Sequence, residues 1–228
     1  MSASRVPYFE RRAAAYLDDS GKGLWRLARA AEWRALRPLL SLSTGLKILD
    51  AGCGAGFYSR LMRGAADVRV RGLDSSPAMI AAYRAQGFEG EIGTIESHRT
   101  VRRYDRVLLA GVLEFVPRPE DAVRNLAALL APGGRIVCLV PKTGLAGAGY
   151  RLVHRLWGCP AFVREPERYF QLARGHGLEP SEFASATAMS CVFVLRPTGR
   201  RRDESRRKLI PRRGLPGRAP EREARRPY

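Results

Sequence analysis

Lysine is almost missing from this chain, with four residues against 36 arginines, and acidic side chains are outnumbered 22 to 40, leaving a formal charge of +18. Cysteine and histidine are scarce as well. Cys53, Cys138, Cys159 and Cys191 lie far apart, with no C-x-x-C pair and no histidine at ligand spacing. That pattern argues against a disulfide framework or a zinc site, and no metal is expected. No run approaches 18 apolar residues, and the opening MSASRVPYFERR has no signal-like apolar stretch. The expectation is a cytoplasmic protein without a transmembrane segment.

The 228 residues are 45% hydrophobic, enough for one medium domain with its own core, which excludes a wholly disordered chain. The charge is unevenly placed. Residues 196–228 carry thirteen basic and four acidic side chains, a net +9 and half of the excess. With four prolines from Pro211 onward and few apolar residues, 199–228 reads as a disordered Arg/Pro-rich tail that cannot offset the entropy of ordering itself. Such an arm suits phosphates of a nucleic acid or an acidic surface; it also reads as an unconstrained extension of an arginine-biased sequence.

From residue 46 onward, strand-like and helix-like runs alternate. Leu46–Asp50, Val68–Leu73, Glu91–Ile95, Tyr104–Gly111 and Arg135–Val140 read as strands, with helical patterns between them, including Pro77–Arg84 and Pro119–Leu130. This rhythm indicates βαβ units and a parallel sheet. Beyond residue 142 come a Gly-rich hinge and basic amphipathic helix over Thr143–Trp157, a helix over Pro166–Gly175, and a hairpin from Phe183–Thr187 and Ser190–Arg196. Upstream, Leu24–Leu40 has helical spacing and Tyr8–Ser20 reads as a weaker helix or lid. The domain expectation is a helical lid or cap over 1–45, a catalytic domain over 46–198 and the tail.

The central motif is DAGCGAG, Asp50 to Gly56, between a strand and a helix. Its glycines allow a sharp turn and close approach of a ligand to the backbone, although a tight turn without a ligand would look the same. Twenty-four residues after Asp50, Asp74 ends the second strand, where an acid accepts from ribose hydroxyls. As a turn residue before Ser75-Ser76-Pro77 it is equally sound, and both roles are compatible.

Together, LDAGCGAGFYSRLM, VRGLDSSPAMI and YDRVLLAGVLEFVPRPEDAVRNLAALLAPGGRIVCLVP resemble the class I S-adenosylmethionine-dependent methyltransferases, in particular the quinone and natural-product group. The resemblance covers about 46–142 and more loosely extends to 196. It implies an α/β, Rossmann-like fold: a seven-stranded, mostly parallel sheet in order 3-2-1-4-5-7-6 with helices on both faces, and S-adenosylmethionine as cofactor. It also implies that Asp50, Gly52, Gly54 and Gly56 shape the pocket for the methionine part, with Ala110 and Gly111 against it. Asp74 would hold the ribose, with Ser75 and Met79 beside the adenosine. Relatives often place an Asp on the adenine amino group where this chain has Thr94; Ile95 is left to pack on the ring or simply in the core.

A sulfonium methyl is already electrophilic, so alignment and water exclusion do most of the work. Where the acceptor is protonated, a base adds to it. Glu114, just past the fourth strand, is the carboxylate candidate, with a structural role as its alternative. His154 is the other, with a solvated helix face as its alternative. His98 and His176 read as surface loop residues. Aromatic residues Tyr8, Phe9, Tyr16 and Trp25 would cover the cofactor, Tyr16 near the methionine carboxylate, or else staple a helix to the core. The reading is in-line methyl transfer to a small-molecule acceptor, oxygen ahead of nitrogen or carbon because a carboxylate base is present. The alternative is a nucleic-acid methyltransferase using the basic tail, although Leu113-Glu114-Phe115-Val116 replaces the N/D-P-P-Y/F/W tetrapeptide common in base N-methyltransferases.

Overall fold

Near-continuous apolar runs such as Val107-Leu108-Leu109 and Ile136 to Val140 belong to strands buried on both faces. A computed structural model describes residues 7–11 and 23–199. Its strands are β1 Lys47–Ala51, β2 Arg69–Asp74, β3 Glu89–Ile92, β4 Tyr104–Ala110, β5 Leu130–Pro141, β6 Leu178–Ser185 and β7 Ser190–Pro197. They form one sheet in the order β3-β2-β1-β4-β5-β7-β6. Strands β1 to β5 pair in parallel, and β7 runs antiparallel to both β5 and β6.

The helices are α1 Gly23–Leu40, α2 Phe57–Ala65, α3 Pro77–Arg84, α4 Pro119–Ala128, α5 Gly144–Leu156 and α6 Pro166–Gly175. Alternation along the central strands divides the core into two layers. Leu108, Val137, Leu139, Val192 and Val194 pack with Leu36 and Leu40 of α1 and with Tyr58 and Met62 of α2. Their neighbours Val107, Leu109, Ile136, Cys138 and Phe193 face the other way, onto Val123 and Leu126 of α4 and Tyr169 of α6. Helices therefore cover both faces, as the strand rhythm predicts.

Three boundaries differ from the sequence expectation, each for a local reason. Strand β3 ends at Ile92: Gly93 N–H makes the last ladder bond, to the Asp74 carbonyl at 2.8 Å, and residues 93–95 lie outside the sheet. Strand β5 starts at Leu130, with the anticipated turn Ala131–Gly134 inside it as an irregularity: Tyr104 pairs with Leu130, then Arg106 with Arg135. Strand β6 spans Leu178–Ser185 as an edge strand whose alternating exposure gives little apolar signal.

Within the 1–45 segment, α1 divides by role. Leu36 and Leu40 are fully buried in the core, while Trp25, Ala28, Arg29 and Glu32 line a cavity. Tyr16 and the tail from residue 200 lie outside the described residues. Among those described, no helix is long and apolar enough to cross a membrane.

Candidate functional site

In the turn from β1 into α2, Gly52, Gly54 and Gly56 adopt left-handed backbone. Gly52 has φ +81° and donates its N–H to the Leu73 carbonyl at 2.7 Å. A Cβ there would fall 2.3 Å from Val112 Cγ2, inside the residue that follows β4 and Gly111. Both sterics and backbone therefore require glycine. Gly52→Ala is expected to lower stability by about 2 kcal/mol or more, readable as an earlier thermal midpoint.

Asp74, at the carboxyl end of β2, ties this turn to the next one. Its Oδ2 accepts from Gly54 N–H at 2.9 Å and its Oδ1 from Ser76 N–H at 2.9 Å. The turn role does not exhaust the acceptor capacity of the carboxylate. Burial raises the Asp74 pKa, and the backbone N–H groups of Ser76, Gly54 and Ser75 act against that rise. Gly52, Asp74, Ser75, Thr94, Ile95 and Val112 line a small cleft. It offers a carboxylate, close backbone approach and one apolar wall from Ile95. Asn125 of α4 holds that wall, donating through Nδ2 to the Ile95 and His98 carbonyls, each at 2.9 Å. His98, read from sequence as a surface loop residue, has a largely covered side chain 3.9 Å from Glu91.

Four anticipated pocket residues, Asp50, Gly54, Gly56 and Met79, lie outside both cavity linings. Asp50 is buried and accepts from Ser59 Oγ at 2.6 Å, and Ser59 Oγ in turn lies 2.8 Å from Tyr83 OH. Burial pushes Asp50 up to about 7, against the Ser59 hydrogen bond. Gly56 (φ +93°) starts α2 beside the Tyr83 ring, and Met79 packs under the turn with Ala55 and Phe9. Gly54, the fourth, donates its N–H to Asp74. They brace the walls.

A larger cavity of about 220 Å³ opens at the carboxyl ends of β4 and β5, bounded there by Ala110, Gly111 and Leu139 to Pro141. This is where open α/β sheets place ligands. Glu114, on the short 3₁₀ turn Leu113–Phe115, enters its wall and is only 2% exposed. Tyr150 OH donates to Glu114 Oε1 at 3.2 Å, whereas Oε2 is buried with no hydrogen-bond partner among the described residues. Burial pushes Glu114 up to about 7.

His154 faces this cavity rather than solvent, correcting the alternative of a solvated helix face. Tyr150 and His154 lie one turn apart on the inward side of α5, their rings 4.3 Å apart, and Phe115 lies 5.2 Å from His154. Residues 7–11 are helical and cross the site. Tyr8 stacks on Trp157 at 6.2 Å and Phe9 meets Phe115 edge-on at 5.3 Å. Glu10 Oε1 accepts from Ser76 Oγ at 2.5 Å and Ala78 N–H at 3.2 Å, at the start of α3.

The opposite wall holds residues that the sequence did not single out. Arg29 Nη1 donates to Glu32 Oε2 and to Tyr58 OH, each at 3.0 Å; Tyr58 OH donates to the same Glu32 oxygen at 2.7 Å. Ser190 Oγ, from β7, donates to Glu32 Oε1 at 3.2 Å. The polar i, i+3 pair on an otherwise apolar helix face was the available signal for Arg29 and Glu32.

Residues 24–179 match a family model described as a methyltransferase domain. A ubiquinone biosynthesis O-methyltransferase of Bordetella avium (strain 197N) is 32% identical over 167 residues, 66% of this chain and 68% of that protein. This chain spans only 40% of the proteins so described from Proteus mirabilis and Alkalilimnicola ehrlichii. Among solved structures, the DhpI-SAM-HEP complex superposes with a TM-score of 0.67 at 22% identity, over 86% of this chain and all of that one. The N-methyltransferase NodS from Bradyrhizobium japonicum WM9, in complex with S-adenosyl-L-homocysteine, gives 0.65 at 21% identity, over 85% and 98%.

Proposed function

The chain belongs to the class I S-adenosylmethionine-dependent methyltransferases, and from that premise we propose that it methylates a hydroxyl oxygen of a small molecule held in the 220 Å³ cavity. The observation that carries the oxygen reading is Glu114 Oε2, a buried acceptor with no hydrogen-bond partner among the described residues, in the wall of that cavity.

The small cleft fits the cofactor by its own chemistry. Asp74 accepts from Gly54 and Ser76 and keeps acceptor capacity for the ribose. Ile95 offers an apolar surface to the adenine, and Thr94 gives that edge a hydroxyl. Gly52, Ala110 and Gly111 leave the backbone open toward the methionine part. When bound, S-adenosylmethionine supplies a methyl group already activated by its sulfonium charge.

What remains for the protein is orientation, dryness and one proton. The aromatic walls, Phe9, Phe115, Tyr150, His154 and Trp157, exclude water and confine the acceptor for in-line displacement; such positioning is worth about 7–11 kcal/mol in favourable cases. Glu114 would take the hydroxyl proton: the acceptor O–H breaks and its electron pair goes to the new O–CH₃ bond, the S–CH₃ pair stays on the departing thioether sulfur, and the proton passes to Oε2. Burial suits the carboxylate for this, because a pKa near 7 matches a base to neutral conditions. Tyr150, bonded to Oε1, fixes the direction in which Oε2 points. His154 lies among the same rings and would border the acceptor.

A radiolabelled-methyl assay offering small phenols and alcohols alongside amines and total RNA tests the reading. Label on oxygen of a small molecule, located by mass spectrometry, is the expected result; label confined to RNA or to amines overturns it.

A further inference from the structure

The short turn that carries Glu114 cannot satisfy its own backbone. It runs into Val116-Pro117-Arg118-Pro119, and the two prolines remove N–H groups that a continuing helix would point at the carbonyls of residues 113–116. Within the turn, Phe115 N–H reaches the Val112 carbonyl at 2.9 Å and Val116 N–H the Leu113 carbonyl at 3.3 Å. Leu113, Phe115 and Val116 are buried, so the carbonyls beside them need donors from elsewhere in the chain.

Those donors come from the loop that follows α5. Phe162 N–H donates to the Glu114 carbonyl at 2.6 Å. Arg164 Nη2 donates to the Pro117 and Val116 carbonyls at 2.9 and 3.2 Å, and its Nη1 to those of Leu113 and Phe162 at 3.4 and 3.3 Å. Spanning four carbonyls uses the planar guanidinium fork, which an ammonium with three donors on one nitrogen cannot copy. The loop is itself anchored, since Cys159 and Ala161 are buried against Phe115 and the Arg164 guanidinium lies 5.0 Å from the Phe162 ring. Residues 150–164 therefore hold Glu114 at both ends, its side chain through Tyr150 and its backbone through Phe162 and Arg164.

We propose that Arg164 is a positioning residue for methyl transfer, fixing the Leu113–Phe115 turn so that Glu114 Oε2 is aimed into the acceptor cavity and kept from water. It acts through backbone carbonyls rather than as a charge beside the carboxylate. The assignment rests on Glu114 being the base.

The pH at which Glu114 titrates, followed by carbon-13 NMR of its carboxyl carbon in the ligand-free full chain and assigned with Glu114→Gln, tests this without any acceptor. Burial holds that value up at about 7. A turn loosened by Arg164→Lys or Arg164→Met admits water to Oε2, so the value is expected to fall by about one unit or more in both variants. A purely electrostatic role has a different sign: losing a neighbouring cation raises a carboxyl pKa, so Arg164→Met would move it upward and Arg164→Lys would leave it in place. Tyr8, Arg29, Glu32, Tyr150 and His154 around the cavity and Tyr169 of α6, the other titratable groups facing Glu114, are the same in every comparison. With the acceptor found in the labelling assay, Arg164→Lys is expected to lose on the order of ten- to a hundredfold in kcat while calorimetric S-adenosylmethionine affinity stays within about twofold. Glu114→Gln/Arg164→Lys is expected to be no slower than Glu114→Gln alone, as for residues that act as one unit. An unmoved titration in both variants, a rise in Arg164→Met, or additive losses in the double variant overturns the proposal. A slow Glu114→Gln beside an Arg164→Lys at wild-type rate refutes the proposal alone, whereas Glu114→Gln at wild-type rate refutes the base reading and the proposal with it.

Discussion

Replacing Asp74 with Ala is expected to weaken S-adenosylmethionine binding by about two orders of magnitude or more, measured by titration calorimetry. Hydrogen bonds to a charged group contribute about 1.5–3 kcal/mol each, and two ribose hydroxyls would share this carboxylate. Its deletion also frees Gly54 and Ser76 N–H groups that Asp74 now accepts from, so part of the loss comes through the shape of the glycine turn. Asp74→Asn separates the two contributions. The amide keeps one acceptor oxygen but presents N–H to a backbone donor, so affinity should fall while the ligand-free thermal midpoint changes less than in Asp74→Ala. If Asp74→Ala binds the cofactor as well as wild type, the cleft at the end of β2 is not the cofactor site.

The second large effect concerns Glu114, where rate and stability are expected to move in opposite directions. Glu114→Gln removes the proton acceptor and should lower kcat on the order of 10²–10³-fold. It should also abolish a rise in wild-type rate with pH through about 7, the value to which burial pushes this carboxyl. The stability sign follows from linkage. With the folded pKa raised from 4.5 to about 7, the native state binds more protons than the unfolded chain across that window. The contribution favouring the fold is therefore full below about 4.5 and is lost as pH rises through 7. Glutamine has no charge to bury, so the variant should melt later than wild type at pH 8, by on the order of 2–3 kcal/mol. Asp50, raised from 3.8 to about 7, has the same sign and persists in both proteins, which leaves the difference between them as the readout. A variant that is both slower and less stable at pH 8 would assign Glu114 a bracing role instead of a chemical one.

The parts of the site legible in the sequence are those built by neighbours along the chain. The glycine turn, Asp74 with its following Ser76 cap, and the small residues ending β4 are each encoded within a few positions, because backbone φ, capping and strand-end crowding are local constraints. The strand order followed from the family pattern, and the central strands were visible through their double-sided burial. What the sequence hid depends on distant partners. Glu32 acquires its setting from Tyr58 and Ser190, 26 and 158 residues away. Asn125 supports the Ile95 wall from 30 residues downstream. Helix α5 misled for a different reason. Amphipathic periodicity identifies a helix but not which side faces inward, and here the ring-bearing side turns to the cavity and Leu145, Leu152 and Leu156 turn out. Edge strand β6 was placed late because only Leu178 in it is buried.

The contact between Gly52 and Val112 also has an evolutionary consequence. A branched side chain from one loop occupies the volume that any larger residue in the other would need. Shrinking Val112 alone would not release position 52, because its left-handed backbone still requires glycine, so the constraint is expected to run from position 52 onto position 112. That interlock ties the spacing between the glycine turn and the turn bearing Glu114 to two residues, Gly52 and Val112.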